Sequence, residues 1–174
     1  WAGGDNYAVD HRSFLLMKKT LIRLARLCPS ACDVNLWMPV PTQSGRIQIA
    51  VSSITITPKR LESLAFAQPY YDSDQSLSVL KTTKINGLAD LGGKTVGVDT
   101  ASTGDIWATE NTGKYKIAKI SRYEGLAPAM LDLAAGRIDG YISDIPAVEY
   151  YIKDKPQYRV AARIPTNERY SFMF

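Results

Sequence analysis

The chain has 174 residues, of which 45% are hydrophobic and 22% charged, with a net charge of +4 and a pI near 9.0. That length holds one domain or two small lobes, and the balance is that of a folded chain rather than a disordered one. Basic residues are scattered, with nothing longer than pairs such as Lys18-Lys19 and Lys59-Arg60. They read as solvated surface, not as a nucleic-acid stripe, and no apolar run approaches the roughly 18 residues of a membrane span.

Trp1-Ala2-Gly3-Gly4-Asp5 is not the basic start of a secretory signal. A processed or truncated chain would read the same way, so export stays open. Residues 1–13 read as loop or frayed strand, Ser13–Leu27 as a helix stopped by Pro29, and Asp33–Met38 as a strand. Cys28 and Cys32 are separated by three residues in a chain with a single histidine, His11. Together these cannot build a four-ligand zinc site, which leaves a short-loop disulfide or two free thiols. No metal or cofactor is expected, and His11 is given no role.

Arg46–Ser52 alternates as a buried strand and Pro58–Phe66 reads as a short helix. From about Ser73 onward the pattern is that of a separate α/β unit. Strands are expected at Leu77–Lys81, Lys94–Val98, Lys116–Ile120, Ile138–Ile142, Tyr158–Ile164 and Tyr170–Phe174. Helices are expected at Thr103–Glu110, Gly125–Ala135 and Ile145–Lys153, with a helical turn at Gly87–Leu91. Alternating strands and helices predict a mostly parallel sheet covered on both faces.

Three stretches could carry chemistry, and each has a plain alternative. In Ser52-Ser53-Ile54-Thr55-Ile56-Thr57-Pro58-Lys59-Arg60, hydroxyls and backbone N–H groups at a strand end lie one helical turn from a guanidinium, which suits a small carboxylate. The alternative is a capped turn, with Thr57 as N-cap, Pro58 at the first helical position and Arg60 solvated. In Val98-Asp99-Thr100-Ala101-Ser102-Thr103-Gly104, a strand runs through a small-residue turn into a helix N-terminus. That end suits an anion, or Ser102 or Thr103 simply caps the helix. In Asp139-Gly140-Tyr141-Ile142-Ser143-Asp144-Ile145-Pro146, Asp144 is either a ligand carboxylate at a strand end or an ordinary N-cap. Asp139 reads as a surface or local pair, and Tyr70, Tyr71, Trp37 and Trp107 as packing residues.

The first stretch, followed by Phe66-Ala67-Gln68-Pro69-Tyr70-Tyr71, resembles the signature of the solute-binding proteins of polar amino acid ABC transporters, family 3 of the bacterial extracellular solute-binding proteins. The two later stretches fall in the family's order, and the likeness runs from about Gly45 to Phe174. Ionotropic glutamate receptor ligand cores share the fold. The resemblance implies a type II periplasmic-binding-protein-like α/β fold of two lobes with mixed, mostly parallel sheets. Lobe 1 would be residues 1–72, with the last strand, 170–174, returning to it, and lobe 2 residues 73–169. Lobe 1 is expected to be incomplete or remodelled. Gln48 stands where the family has an aspartate, and the family's first strand has no clear counterpart before Gly45.

By the same resemblance, Arg60 grips an amino acid α-carboxylate, with Ser53 and Thr55 beside it. Ser102 and Thr103 approach from the other lobe, and Asp144 binds the α-ammonium, so that the lobes close as a clamp. Ala101 replaces the family's usual glycine. Some relatives carry a disulfide in the region of Cys28 and Cys32, with wider spacing. The implied role is amino acid binding, without catalysis, as the periplasmic or extracellular, membrane-associated component of an ABC uptake system. Its partners would be the amino acid and a transporter permease, with no nucleic acid. An incomplete lobe further predicts oligomerisation or a domain-swapped pairing. The rival readings are a dehydratase on the same fold, like the cyclohexadienyl dehydratases, and a ligand-free fragment serving in assembly.

Overall fold

A computed structural model describes residues 50–174. The expected helix at Ser13–Leu27, the strand at Asp33–Met38, the residues 46–49 of the next strand, Trp37, and the state of Cys28 and Cys32 lie outside the described residues. The chain divides into two compact units, residues 1–72 with 168–174, and residues 73–167. The chain crosses from one to the other at Asp72–Ser73 and back at Asn167–Glu168.

Unit 2 is built on a sheet of strands β1 (Tyr71–Leu80), β2 (Thr95–Asp99), β3 (Lys119–Tyr123), β4 (Gly140–Asp144) and β5 (Tyr158–Tyr170), in the order β3-β2-β4-β1-β5. The pairs β2–β3 and β2–β4 are parallel, as alternation of strands with helices requires. β1 enters antiparallel to β4, with Gln75 opposite Asp144 and Leu77 opposite Ile142. The sheet is therefore mixed and mostly parallel, as the resemblance implies, with β1 as the strand that runs the other way.

Side chains alternate across the sheet and are covered on both faces. On one face Leu77, Val79, Val96, Val98 and Ile142 pack with Ala108 from the helix Thr103–Tyr115. On the other, Tyr141 packs with Met130 and Leu133 from the helix Leu126–Ala134 and Val148 from Ile145–Ile152. With α1 as the short helix Pro58–Leu61 of unit 1, these three are α2, α3 and α4 in turn. Gly97 sits where the second face is tightest: a Cβ there would fall 2.6 Å from Ile138 Cδ1 and 3.1 Å from a Tyr123 ring carbon.

Several boundaries differ from expectation for identifiable reasons. α2 runs on to Tyr115 instead of ending at Glu110. Asn111 and Thr112, ordinarily poor helix residues, donate to the carbonyls of Trp107 and Ala108 at 2.9 and 2.8 Å, and Trp107 stacks on Tyr115. The helix then stops at Lys116, in the left-handed region at φ 54°, so β3 starts three residues later than the expected Lys116. β5 is continuous through Pro165, where a break was expected. It is an edge strand, and an edge tolerates a missing N–H. Next to the proline, Asp74 Oδ1 accepts the N–H groups of Thr166 and Asn167 at 2.9 and 3.0 Å.

In unit 1 the last residues of the chain lie between two extended segments. Met173 and Ala50 exchange backbone bonds of 2.8 and 3.0 Å, and Ser171 N–H donates to the Ile54 carbonyl. On the other side, Ala67 N–H donates to the Phe172 carbonyl and Phe174 N–H to the Ala65 carbonyl. Ala50, Ile54 and Met173 form the core, with Leu64 and Phe66 against it. This pairing explains why α1 covers only Pro58–Leu61 and not the expected span to Phe66. Ala65 and Ala67 place their backbone groups on the returning segment instead. Of the expected strand Arg46–Ser52, the described part forms a single bridge, Ala50 to Met173.

Leu133 and Leu131 lie two residues apart on α3, fully buried and 64% exposed respectively. Leu133→Ala is expected to cost about 2–5 kcal/mol, and Leu131→Ala no more than about 0.5 kcal/mol. Urea denaturation of both variants checks the face assignment of this helix.

Candidate functional site

The unit 1 residues gather at the end of the first described segment. Thr57 adopts the N-cap conformation of α1, and its hydroxyl accepts the Arg60 N–H at 3.2 Å, with Pro58 at the start of the helix. This is the capped turn that the residue pattern suggests. It also aims Arg60 back over the strand end, where one Nη donates to the Thr55 carbonyl at 2.8 Å. Thr55 is buried, and its hydroxyl donates to Glu168 Oε2 at 2.5 Å. Ser53 is exposed on a bend, and the Ser52 carbonyl next to it accepts the Tyr70 hydroxyl at 2.5 Å. Tyr70 lies 5.1 Å from the Phe172 ring, and Tyr71 stacks on Tyr170 at 5.7 Å. Both tyrosines make ring contacts, although Tyr70 is 38% exposed.

The unit 2 residues gather where β2 and β4 end and β1 begins. Ser102 is the N-cap of α2, and its hydroxyl accepts the Asp105 N–H at 3.0 Å. Before it, Ala101 occupies the left-handed region at φ 58°, which disfavours a side chain with Cβ. Asp144 stands at the cap position of α4, yet its side chain makes no cap bond. It turns toward β1, where the Gln75 amide donates to Asp144 Oδ1. The same Nε2 donates to Thr103 Oγ1 at 3.1 Å. Thr103 and Asp144, 41 positions apart by their numbers, are thus joined through one fully buried side chain.

Around this group the other charges are spoken for. Asp105, in the first turn of α2, accepts the Ala101 N–H at 3.2 Å and Arg122 Nε at 2.9 Å. Burial pushes its carboxyl up, but hydrogen bonds from Arg122, Ala101 and Thr109, with the Arg122 charge, outweigh that and hold it below the ordinary carboxylate value. At the end of β2, Asp99 Oδ2 accepts the Tyr141 hydroxyl at 2.8 Å. Burial raises the Asp99 carboxyl, and Glu124 adds to this, against the hydrogen bonds of Tyr141 and Ser143. Burial, with the neighbouring Asp99 charge, also raises the Tyr141 hydroxyl. Asp139 forms the local pair, with Lys94 at 3.5 Å and the Thr95 N–H at 2.8 Å. Among the described residues, no group of three or more His, Cys, Asp or Glu side chains could hold a metal ion, and no helix is long and apolar enough to cross a membrane.

Two participants carry no role in the sequence reading, Gln75 and Glu168. Gln75 was legible in principle. It lies two and four residues before Leu77 and Val79, on the same buried face, and a polar residue in that series demands partners. Glu168 offers no comparable signal, because its burial depends on the segment returning to Thr55.

A mixed sheet of this kind, clothed by helices, with polar groups collected at its strand ends, defines a type II periplasmic-binding α/β fold. The chain belongs to the bacterial extracellular solute-binding proteins, family 3, whose model matches residues 38–162. It is 30% identical over 120 residues to the ABC transporter arginine-binding protein 1 of Escherichia coli, covering 69% of this chain and 48% of that protein. It is 36% identical over 125 residues to the lysine/arginine/ornithine-binding periplasmic protein of the same organism, covering 71% and 47%. Holo ArgBP from T. maritima superposes with a TM-score of 0.68 at 30% identity, over 75% of this chain and 57% of that one. The chain spans about half the length of the curated relatives it matches.

The Asp105–Arg122 pair sets a pH dependence. A carboxyl held low in the folded state contributes stability above its unfolded pKa, and that contribution is lost as the pH falls through the folded value. Arg122→Gln is therefore expected to be less stable than wild type near neutral pH. The gap should close as the pH drops below about 3.9, the ordinary aspartate value, as urea unfolding at a series of pH values would show.

Proposed function

We propose that the chain binds a polar amino acid as the solute-binding component of an ABC uptake system outside the cytoplasmic membrane, working with a transporter permease. The observation that carries this reading is the pairing of Thr103 and Asp144 in unit 2. A hydroxyl beside a helix N-terminus suits an α-carboxylate, and a carboxylate that is spared from capping suits an α-ammonium. In unit 1, Arg60 offers a guanidinium that suits a carboxylate, held in place through the Thr55 carbonyl. Ser53, exposed at its bend, and Ser102, at the helix cap, complete the proposed set. The relatives' names, which speak of arginine, histidine, lysine and ornithine, support a polar amino acid as the class. On this reading the chain does no chemistry on its ligand.

A thermal-shift screen with the common amino acids tests it. Ligand at about a hundredfold excess over Kd should raise the melting temperature by about 5–10 °C. Arg60→Ala and Asp144→Asn should each weaken binding by about tenfold to a hundredfold, since each removes a charge-assisted bond. No shift with any amino acid would contradict the reading, and turnover of prephenate or arogenate would replace it with a dehydratase.

A further inference from the structure

We infer that Gln75 is a positioning residue for the ligand groups in unit 2, turning the Thr103 hydroxyl outward as a donor and fixing the orientation of the Asp144 carboxylate. The inference rests on the amino acid-binding reading and deepens it. Its basis is the single side-chain nitrogen that donates to both Thr103 Oγ1, at 3.1 Å, and Asp144 Oδ1.

An amide NH2 has two protons and nothing to accept with. Thr103 can meet it only by presenting a lone pair, so its hydroxyl proton is turned away from Gln75. An α-carboxylate can accept it. Asp144 meets the amide with one oxygen, which sets the plane of the carboxylate and turns it from the N-terminus of α4, where no side-chain cap is made. A carboxylate oriented that way can receive an ammonium. One neutral side chain thus sets the donor sense of Thr103 and the orientation of Asp144, without adding a charge that would compete with either end of an amino acid zwitterion.

The fold holds Gln75 firmly. Its side chain is fully buried, and its N–H donates to Thr166 Oγ1 at 3.2 Å. Its position opposite Asp144 is fixed by the β1–β4 register. Gly104 completes the seat: a Cβ there would lie 2.8 Å from Gln75 Oε1 and 3.2 Å from the Ile142 carbonyl oxygen. Any larger residue in that first turn of α2 would crowd the amide.

The test is calorimetric titration of the full chain with L-arginine, with agmatine, which lacks the carboxylate, and with 5-guanidinopentanoate, which lacks the ammonium. L-histidine, histamine and imidazolepropionate form a second set. In the wild type the amino acid should bind more tightly than either analogue. Gln75→Met keeps the bulk and removes both donors. It should weaken amino acid binding by about tenfold or more and narrow both ratios by a similar factor. Gly104→Ala, which disturbs the amide without removing it, should move the same ratios in the same direction. A purely structural role would weaken all three ligands alike and leave the ratios unchanged, which overturns the inference. If Gln75→Met fails to fold, Gln75→Asn keeps the amide but draws it back from its two acceptors, and unchanged ratios in that variant overturn the inference equally. If the wild type binds neither amino acid set, the inference falls together with the reading it rests on. If binding survives Gln75→Met with intact ratios, the inference alone falls.

Discussion

The antiparallel entry of β1 beside β4 governs how the polar groups of unit 2 meet. In a fully parallel sheet all strands would start at one edge and end at the other, and Gln75, early in β1, would lie far from Asp144, the last residue of β4. Reversing β1 brings its beginning to the ends of β4 and β2, where Asp144, Asp99 and the N-terminus of α2 already are. The buried face of β1 then has to accept a polar residue at that end. The Gln75 amide NH2 is taken up by Thr103 and Asp144, whereas Leu77 and Val79 farther along continue as core.

The rest of unit 2 supports this edge. Asp105 is held by Arg122 and by the Ala101 N–H, which steadies the turn between β2 and α2. Ser102 caps the helix and leaves the Thr103 hydroxyl to Gln75. Ala101 bears the backbone cost of the left-handed turn, where a glycine would be at ease. In unit 1 the corresponding economy is the Thr57 cap and Pro58, which start a helix only long enough to place Arg60 against the Thr55 carbonyl.

Much of this was legible before any coordinates. Helix starts at Ser102 and at Asp144-Ile145-Pro146 follow from local chemistry that needs no tertiary partner, and the mostly parallel sheet from the alternation of strands with helices. The direction of β1 did not follow, because alternation of strands and helices says nothing about a strand that enters through a long connector. The short α1 did not follow either: Leu64 and Phe66 fit a helix equally well, and only the returning segment at Phe172–Phe174 decides for extended backbone. Of the candidate site, the residues proposed to meet a zwitterion carry motif signals; Gln75 shows only as a polar residue in a buried series, and Glu168 is buried only by the segment that returns to Thr55. Lys116 and Asn167, both in the left-handed region, mark two further places where the chain turns against simple pattern reading.

The central claim is that these strand-end polar groups receive the two charged ends of an amino acid. Backbone and side-chain amide NMR spectra of the full chain, recorded while L-arginine or L-histidine is added, test it most directly. The account predicts that the first and largest shifts fall on the amides of Ser102, Thr103, Asp144 and Ile145, on the Gln75 side-chain NH2, and on Arg60 Nε–H. Spectra that do not change, or shifts that cluster away from these residues, would contradict it.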